Sequence, residues 1–267
     1  MTQNLCELST IDYSEKDGVA WIRLNRPEKH NALNIQLRQE LQLVWRAVRD
    51  RPEVRCVVLT GSGDKAFCSG IDRNDIIDEG QEFDPFSYDD LAAEIGPKTN
   101  GLWKPVIAAV NGIACGGAFY LLGESEFIIA AEHASFFDPH VTYGMPAVYE
   151  PILLHGRMAF GDLMRMSLMG LSERMSAHTA QQKGLVSQVV PGKELESVVR
   201  DVAESIAIHP PAPVQTTVRS LWAARRLGVS GAVDMGNMLL GVGTHNHLLQ
   251  DGQHRFRSEI RNQPADR

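Results

Sequence analysis

The chain has 267 residues, 43% of them hydrophobic, which is enough to bury one large core, or one core plus a small helical appendage. A net charge of −7 without a basic stripe excludes a nucleic-acid surface, and no run of eighteen apolar residues offers a membrane span. The segment from Met1 to Thr10 is polar and acidic, unlike a secretory leader, so a cytoplasmic protein is expected; Cys6, Cys56, Cys68 and Cys115 lack disulfide or zinc spacing and are expected to be free, mostly buried thiols.

In chain order, Val19 to Leu24 predicts a strand, Asn34 to Asp50 a helix, and Val54 to Thr60 a β-branched apolar strand closed by the turn Gly61-Ser62-Gly63-Asp64. Glu79 to Asp90 is acidic, with Gly80, Pro85 and scattered aromatics, and is expected to be a loop over a site. Pro105 to Val110 then predicts a buried strand, Gly116 to Gly123 a helix opening on glycines, and Phe127 to Ala131 another strand. The fold class is therefore α/β, with a ββα type of repetition. Near residue 200 the style changes: His209-Pro210-Pro211-Ala212-Pro213 breaks a helix, and helices follow around Val214 to Leu227, Ala232 to Leu249 and Asp251 to Arg261. Residues 1–200 are expected to form the body. Residues 201–267, with too little core of their own, are expected to dock on it or on a neighbouring subunit.

Three segments carry a more specific signal: Asn25-Arg26-Pro27-Glu28-Lys29-His30-Asn31-Ala32-Leu33, Ala66-Phe67-Cys68-Ser69-Gly70-Ile71-Asp72, and the run from Lys104 through Asn111-Gly112 to Gly116-Gly117. With Ala134-Ser135-Phe136 and a helical tail carrying Phe256, the chain resembles the crotonase (enoyl-CoA hydratase/isomerase) family over nearly its whole length. The resemblance implies a crotonase-like spiral of ββα repeats with a C-terminal helical oligomerisation region, assembled as a homotrimer or a dimer of trimers. It implies an acyl-CoA thioester as substrate, with coenzyme A arriving as part of it and no separate cofactor or metal. A thioester carbonyl that becomes enolate-like needs two N–H donors aimed at one oxygen, and backbone amides at a turn and a helix start supply them. By the resemblance these are the N–H groups of Ile71 and Gly117. It also implies coenzyme A contacts from Arg26, Lys29 and His30, from Ser69 and Asp72 in the turn, and from Arg261 toward a neighbour's ligand.

The chain departs from the family where hydratases carry two glutamates: Tyr120 and His140 stand there instead. Water addition needs one group to activate water and another to deliver a proton. A phenol is a donor at neutral pH, whereas an imidazole is a credible base or acid. Asp138 and Glu150 are the acids that could restore a carboxylate, while Glu124 and Glu126 read as structural. Pro146 is followed by Ala147-Val148-Tyr149-Glu150 rather than a glycine-rich run, so Tyr143, Met145 and Tyr149 are candidates for the acyl pocket. Three activities stay open at this point: an enoyl-CoA hydratase/isomerase-type lyase using His140, a hydrolase of a CoA thioester or β-diketone, and a non-catalytic acyl-CoA carrier.

Overall fold

The computed structural model describes residues 5–76, 90 and 92–257. Its first half runs β1 (Ile11–Lys16), β2 (Val19–Leu24), α1 (Ile35–Arg49), β3 (Cys56–Gly61), β4 (Ala66–Cys68), α2 (Arg73–Ile76), β5 (Val106–Val110), β6 (Ile113–Cys115) and α3 (Ala118–Gly123). The second half runs β7 (Phe127–Ala131), β8 (Ser135–Phe137), α4 (Tyr149–Leu154), α5 (Phe160–Met169), β9 (Met175–Ser176), α6 (Ala177–Gln182), β10 (Gln188–Val190) and α7 (Leu195–Ala207). It closes with α8 (Pro211–Asp234), α9 (Gly236–Gly243) and α10 (Asn246–Arg257).

One sheet has the order β1-β2-β3-β5-β7-β10 and the other β4-β6-β8-β9. Each of the pairs β3/β4, β5/β6 and β7/β8 puts its first strand in the large sheet and its second in the small one before the chain turns into helix. Each repeat thus advances one place along both sheets, which is the expected spiral. Apart from β1–β2 and β8–β9 the pairings are parallel, and β3 and β5 are buried along their whole length, which explains their unbroken apolar sequence. The step between sheets is made by Asn111-Gly112. A Cβ on Gly112 would lie 2.4 Å from the Lys65 carbonyl oxygen, so only glycine lets the backbones approach.

Helix α1 begins where expected because the Asn34 side chain caps it, accepting from the Leu37 N–H at 2.9 Å. Its apolar face buries Leu37, Leu41, Val44, Trp45 and Val48. Helix α7 packs Val199 and Ala203 against Val58, Ile107 and Ile129 of the large sheet and crosses residue 200; the break in the chain comes after it, at His209-Pro210. Helix α8 starts earlier than expected, because Pro211 at its first position has no N–H to lose. The single helix expected over 232–249 is divided among α8, α9 and α10, since glycines at 236, 241 and 243 weaken it. Inside α8, Gly228 is non-helical (φ 77°, ψ 165°). Helix α9 folds back on α8 so closely that a Cβ on Gly243 would lie 2.8 Å from Thr216 Cβ. No helix among the described residues is long and apolar enough to cross a membrane. Cys56, Cys68 and Cys115 are free and buried, and burial pushes each thiol up to about 12.

Glu124 and Glu126 are indeed structural. Glu124 accepts from the Thr99 N–H at 2.8 Å. Glu126 sits 3.0 Å from the fully buried Lys98 ammonium and accepts from Trp222 Nε1 at 2.7 Å, joining α8 to the body. Glu126→Gln would leave that ammonium without its counter-charge and is expected to cost about 3 kcal/mol. Urea unfolding with an unchanged slope and a lowered midpoint would register the loss; a cost below about 1 kcal/mol would show that Glu124 suffices as counter-charge or that the buried amine gives up its proton.

Candidate active site

Strands β4 and β6 are neighbours, so the turns that leave them lie side by side. From β4 the chain passes through Ser69-Gly70-Ile71, and from β6 through Gly116-Gly117 into α3. Gly70 has φ +88°, and a Cβ there would lie 3.1 Å from the Gly117 nitrogen and 3.0 Å from the Cys115 carbonyl oxygen. Around them the backbone is paired: Leu33 N–H donates to Gly70 O at 2.8 Å and Asp72 N–H to Leu33 O at 3.0 Å. Among the described residues the N–H groups of Ile71 and Gly117 donate to no acceptor.

Beside this pair of turns, β8 delivers Asp138 and Pro139 into a single turn of 3-10 helix, His140–Tyr143. The buried Asp138 Oδ1 accepts from the His140 N–H at 3.1 Å and lies 2.5 Å from His140 Nδ1, fixing the ring. The opposite ring nitrogen, Nε2, is 3.4 Å from Glu150 Oε1 in the first turn of α4. Gly116, at φ +52°, packs against the imidazole: a Cβ there would stand in ordinary contact, 3.6 Å from His140 Cε1, so it is the backbone angle that favours glycine. With Nδ1–H donating to Asp138, Nε2 is the basic nitrogen of the neutral ring.

The hydrogen bond to Asp138 holds His140 above the usual imidazole range, with Glu150 and Asp90 adding to the effect and burial opposing it. Burial pushes the Glu150 carboxyl above the usual carboxylate range, against the pull of His140. The Tyr120 phenol is raised by burial, by Glu150 and by its hydrogen bond with Asp90, so it stays protonated. Asp138, His140 and Glu150 offer ligand atoms within 4.8 Å of one another. The two acids face opposite ring nitrogens of His140, so the three side chains form one contiguous polar cluster.

Both His140 and Glu150 bind protons more tightly folded than unfolded, so their contribution to stability falls as pH rises. The His140 part is fully present below about pH 6.5 and is lost as pH passes through the raised folded value. The difference in melting temperature between the native protein and His140→Gln is therefore expected to shrink as pH rises above about 6.5 and through the raised folded value. A difference constant across that range would show that the imidazole titrates normally.

The structure thus brings together Tyr120, Asp138, His140, Glu150, Ile71 and Gly117. Of the residues expected to meet coenzyme A, Arg26 and Asp72 are paired with each other at 2.9 Å, and Arg26 also donates to the Ala32 carbonyl, tying the Asn25–Leu33 segment to the turn. Lys29 and His30 are exposed on the same segment, and the His30 carbonyl accepts from the Ser69 N–H at 3.1 Å. Arg261 and nearly all of the Glu79–Asp90 loop lie outside the described residues. Tyr143, Met145 and Tyr149 are exposed, and Tyr149 lies 6.3 Å from Tyr120, ring centre to ring centre. Sequence reasoning missed Asp90 as a Tyr120 partner and Arg73, whose guanidinium lies 4.6 Å over the Tyr143 ring. A crevice of about 720 Å³ lined by Pro105, Phe127, Leu221 and Trp222 lies against α8, apart from the His140 cluster.

Residues 14–263 match the model of the enoyl-CoA hydratase/isomerase family. The chain is 32% identical to (E)-benzylidenesuccinyl-CoA hydratase of Thauera aromatica, over 84% of this chain and 86% of that one. It is 33% identical to crotonyl-CoA hydratase of Syntrophomonas wolfei, over 84% of each. The crystal structure of an enoyl-CoA hydratase/isomerase from Mycobacterium paratuberculosis superimposes with a TM-score of 0.84 at 29% identity, covering 94% of this chain and 96% of that one. Fold, family model and relatives agree, and the chain belongs to the enoyl-CoA hydratase/isomerase family.

Proposed function

We propose that the protein acts on an enoyl-CoA thioester and that the Asp138–His140–Glu150 relay replaces the pair of glutamates usual in hydratases. The observation that carries this reading is the imidazole held between two buried carboxylates, with Nδ1 at 2.5 Å from one and Nε2 at 3.4 Å from the other. The thioester oxygen is held by the Ile71 and Gly117 N–H groups, whose lack of other acceptors supports the assignment. In hydration, water attacks the β-carbon and His140 Nε2 takes its proton. Glu150, whose carboxyl burial pushes above the usual carboxylate range, delivers a proton to the α-carbon and is recharged from His140. Asp138 positions the ring, and Tyr120 serves as a hydrogen-bond donor.

The exposed Tyr143, Met145 and Tyr149 support an apolar acyl group, in keeping with the aryl-bearing and short enoyl substrates that the relatives' names give. The exposed Lys29 and His30 support contacts to the phosphates of coenzyme A. Exposed Ile152, Phe160 and Leu168 on α4 and α5 support assembly as a homotrimer or dimer of trimers.

A second reading, hydrolysis, draws on the same relay, since an Asp-oriented imidazole prepares water for attack on a carbonyl as well as on a double bond. Incubation with short, long and aryl enoyl-CoA esters, following double-bond absorbance and free thiol together, separates them. Loss of the double bond without thiol release supports the hydratase; thiol release moves the protein to the hydrolases. Binding of acyl-CoA without either signal would leave a carrier.

A further inference from the structure

The helices that bring Tyr120 and Glu150 to the relay are short, six residues each, and they end against one another. A Cβ on Gly123, the last residue of α3, would lie 2.6 Å from Leu153 Cβ of α4. Two helix C-termini therefore meet, each with unpaired carbonyls and a partial negative charge. Into this junction α8 inserts Arg225. Its Nη1 donates to Gly123 O of α3 at 3.3 Å, and its Nη2 donates to His155 O at 3.0 Å and to Leu153 O of α4. Arg157 shares the same Gly123 carbonyl at 3.1 Å and also donates to Ser125 O. Among the described residues neither arginine forms an ion pair, so the carbonyls are their main partners. Arg226, Glu124 and Glu126 are the charges nearby.

We propose that Arg225 is a positioning residue: by clamping the C-terminal carbonyls of α3 and α4 together, it sets the distance between Glu150 and His140 and ties proton transfer to the C-terminal helical region. The lever is mechanical. Each helix is only about 9 Å long and rigid, so a displacement at the clamped end appears at the end that bears Tyr120 or Glu150. The planar guanidinium reaches three carbonyls at once, which a lysine ammonium cannot reproduce. The proposal rests on the role given above to His140 and Glu150.

The test uses the full-length protein and the variants Arg225→Gln, Arg225→Lys and Trp222→Phe. The last removes the α8 bond to Glu126 but keeps an aromatic ring beside the Arg225 guanidinium, which lies 5.1 Å from the Trp222 ring centre, and keeps all three carbonyl acceptors. Three quantities are read: kcat and KM against pH on the best enoyl-CoA, the melting temperature, and the His140 titration by NMR with labelled histidine, its signal identified by loss in His140→Gln. Asp138, Glu150 and Asp90 face His140, and of these the clamp moves Glu150. Arg225→Gln is expected to lower kcat about tenfold to a hundredfold with KM within about threefold, and to move the His140 midpoint downward by about half a pH unit or more. Arg225→Lys should fall between, and Trp222→Phe should lower the melting temperature without moving the titration.

An unmoved His140 titration and pH profile in Arg225→Gln, with only stability lost, would make Arg225 merely structural and overturn the proposal. An equal shift in Trp222→Phe would assign the effect to α8 packing in general and do the same. If Arg225→Gln does not fold, Arg225→Lys carries the titration test. Undiminished turnover in His140→Gln would instead refute the reading of the relay, while the titration arm still decides whether Arg225 controls the His140 environment.

Discussion

His140→Gln is expected to lower kcat by about 10²- to 10⁴-fold while changing KM only a few-fold. Glutamine approximates the reach of the imidazole and can still bond to Asp138, so the turn after β8 keeps its shape. What it cannot do is accept and return a proton. Glu150 alone is left facing the reacting carbons, with its carboxyl raised by burial and without the opposing pull of the imidazole. Its carboxyl then holds its proton more tightly, so less of it is present as the carboxylate that could take a proton from water, and water activation suffers most. Steady-state kinetics across pH on the preferred enoyl-CoA provides the check, and the limb that reports the imidazole should vanish from the profile. Retention of more than about a tenth of the native kcat would show that another group moves the proton.

Gly70→Ala is expected to cost about 100-fold or more in kcat through backbone geometry rather than chemistry. Two effects act together. A non-glycine residue at φ +88° carries about 1–2 kcal/mol of strain. The new methyl would also lie 3.0 Å from the Cys115 carbonyl oxygen and 3.1 Å from the Gly117 nitrogen, and neither neighbour is a side chain able to swing aside. The two turns must part, and the Ile71 and Gly117 amides then cease to point at a common oxygen. Loss of one such donor is worth about 3 kcal/mol in the transition state. Calorimetry beside kinetics distinguishes this from simple unfolding: acyl-CoA binding should weaken much less than turnover. A variant that melts early but turns over at the native rate would show that the carbonyl is held elsewhere.

The body of the fold was legible because its strands are buried on both faces and read as unbroken apolar runs, as in Val106–Val110. Helix α1 announced itself through Asn34 at its start. The backbone half of the site was legible too, since glycines at 70, 116 and 117 follow directly on strands. Side-chain pairing over long separations was not. Arg26 and Asp72, 46 residues apart, appeared as separate ligands for coenzyme A, yet they are bound to each other. A single chain does not reveal whether a charge awaits a ligand or is already matched. Arg225 lies 70 to 102 residues from the carbonyls it grips, and carbonyl acceptors leave no mark on side-chain identity at all. In the helical region, the glycines at 236, 241 and 243 outweighed the apolar periodicity that suggested one helix over 232–249.

The break at Gly228 divides α8 into a part fixed to the body through Trp222 and Arg225 and a part that turns back with α9. Nothing lies within 4 Å of where a Cβ on Gly228 would stand, so the bend is held by its own dihedral angles and by the packing of α9 on Thr216 rather than by neighbours at Gly228. Straightening it would carry Val229–Asp234 and α9 away from Thr216 and free the apolar face on which α9 now rests. The bend at this one residue is thus what keeps that apolar face covered from within the chain.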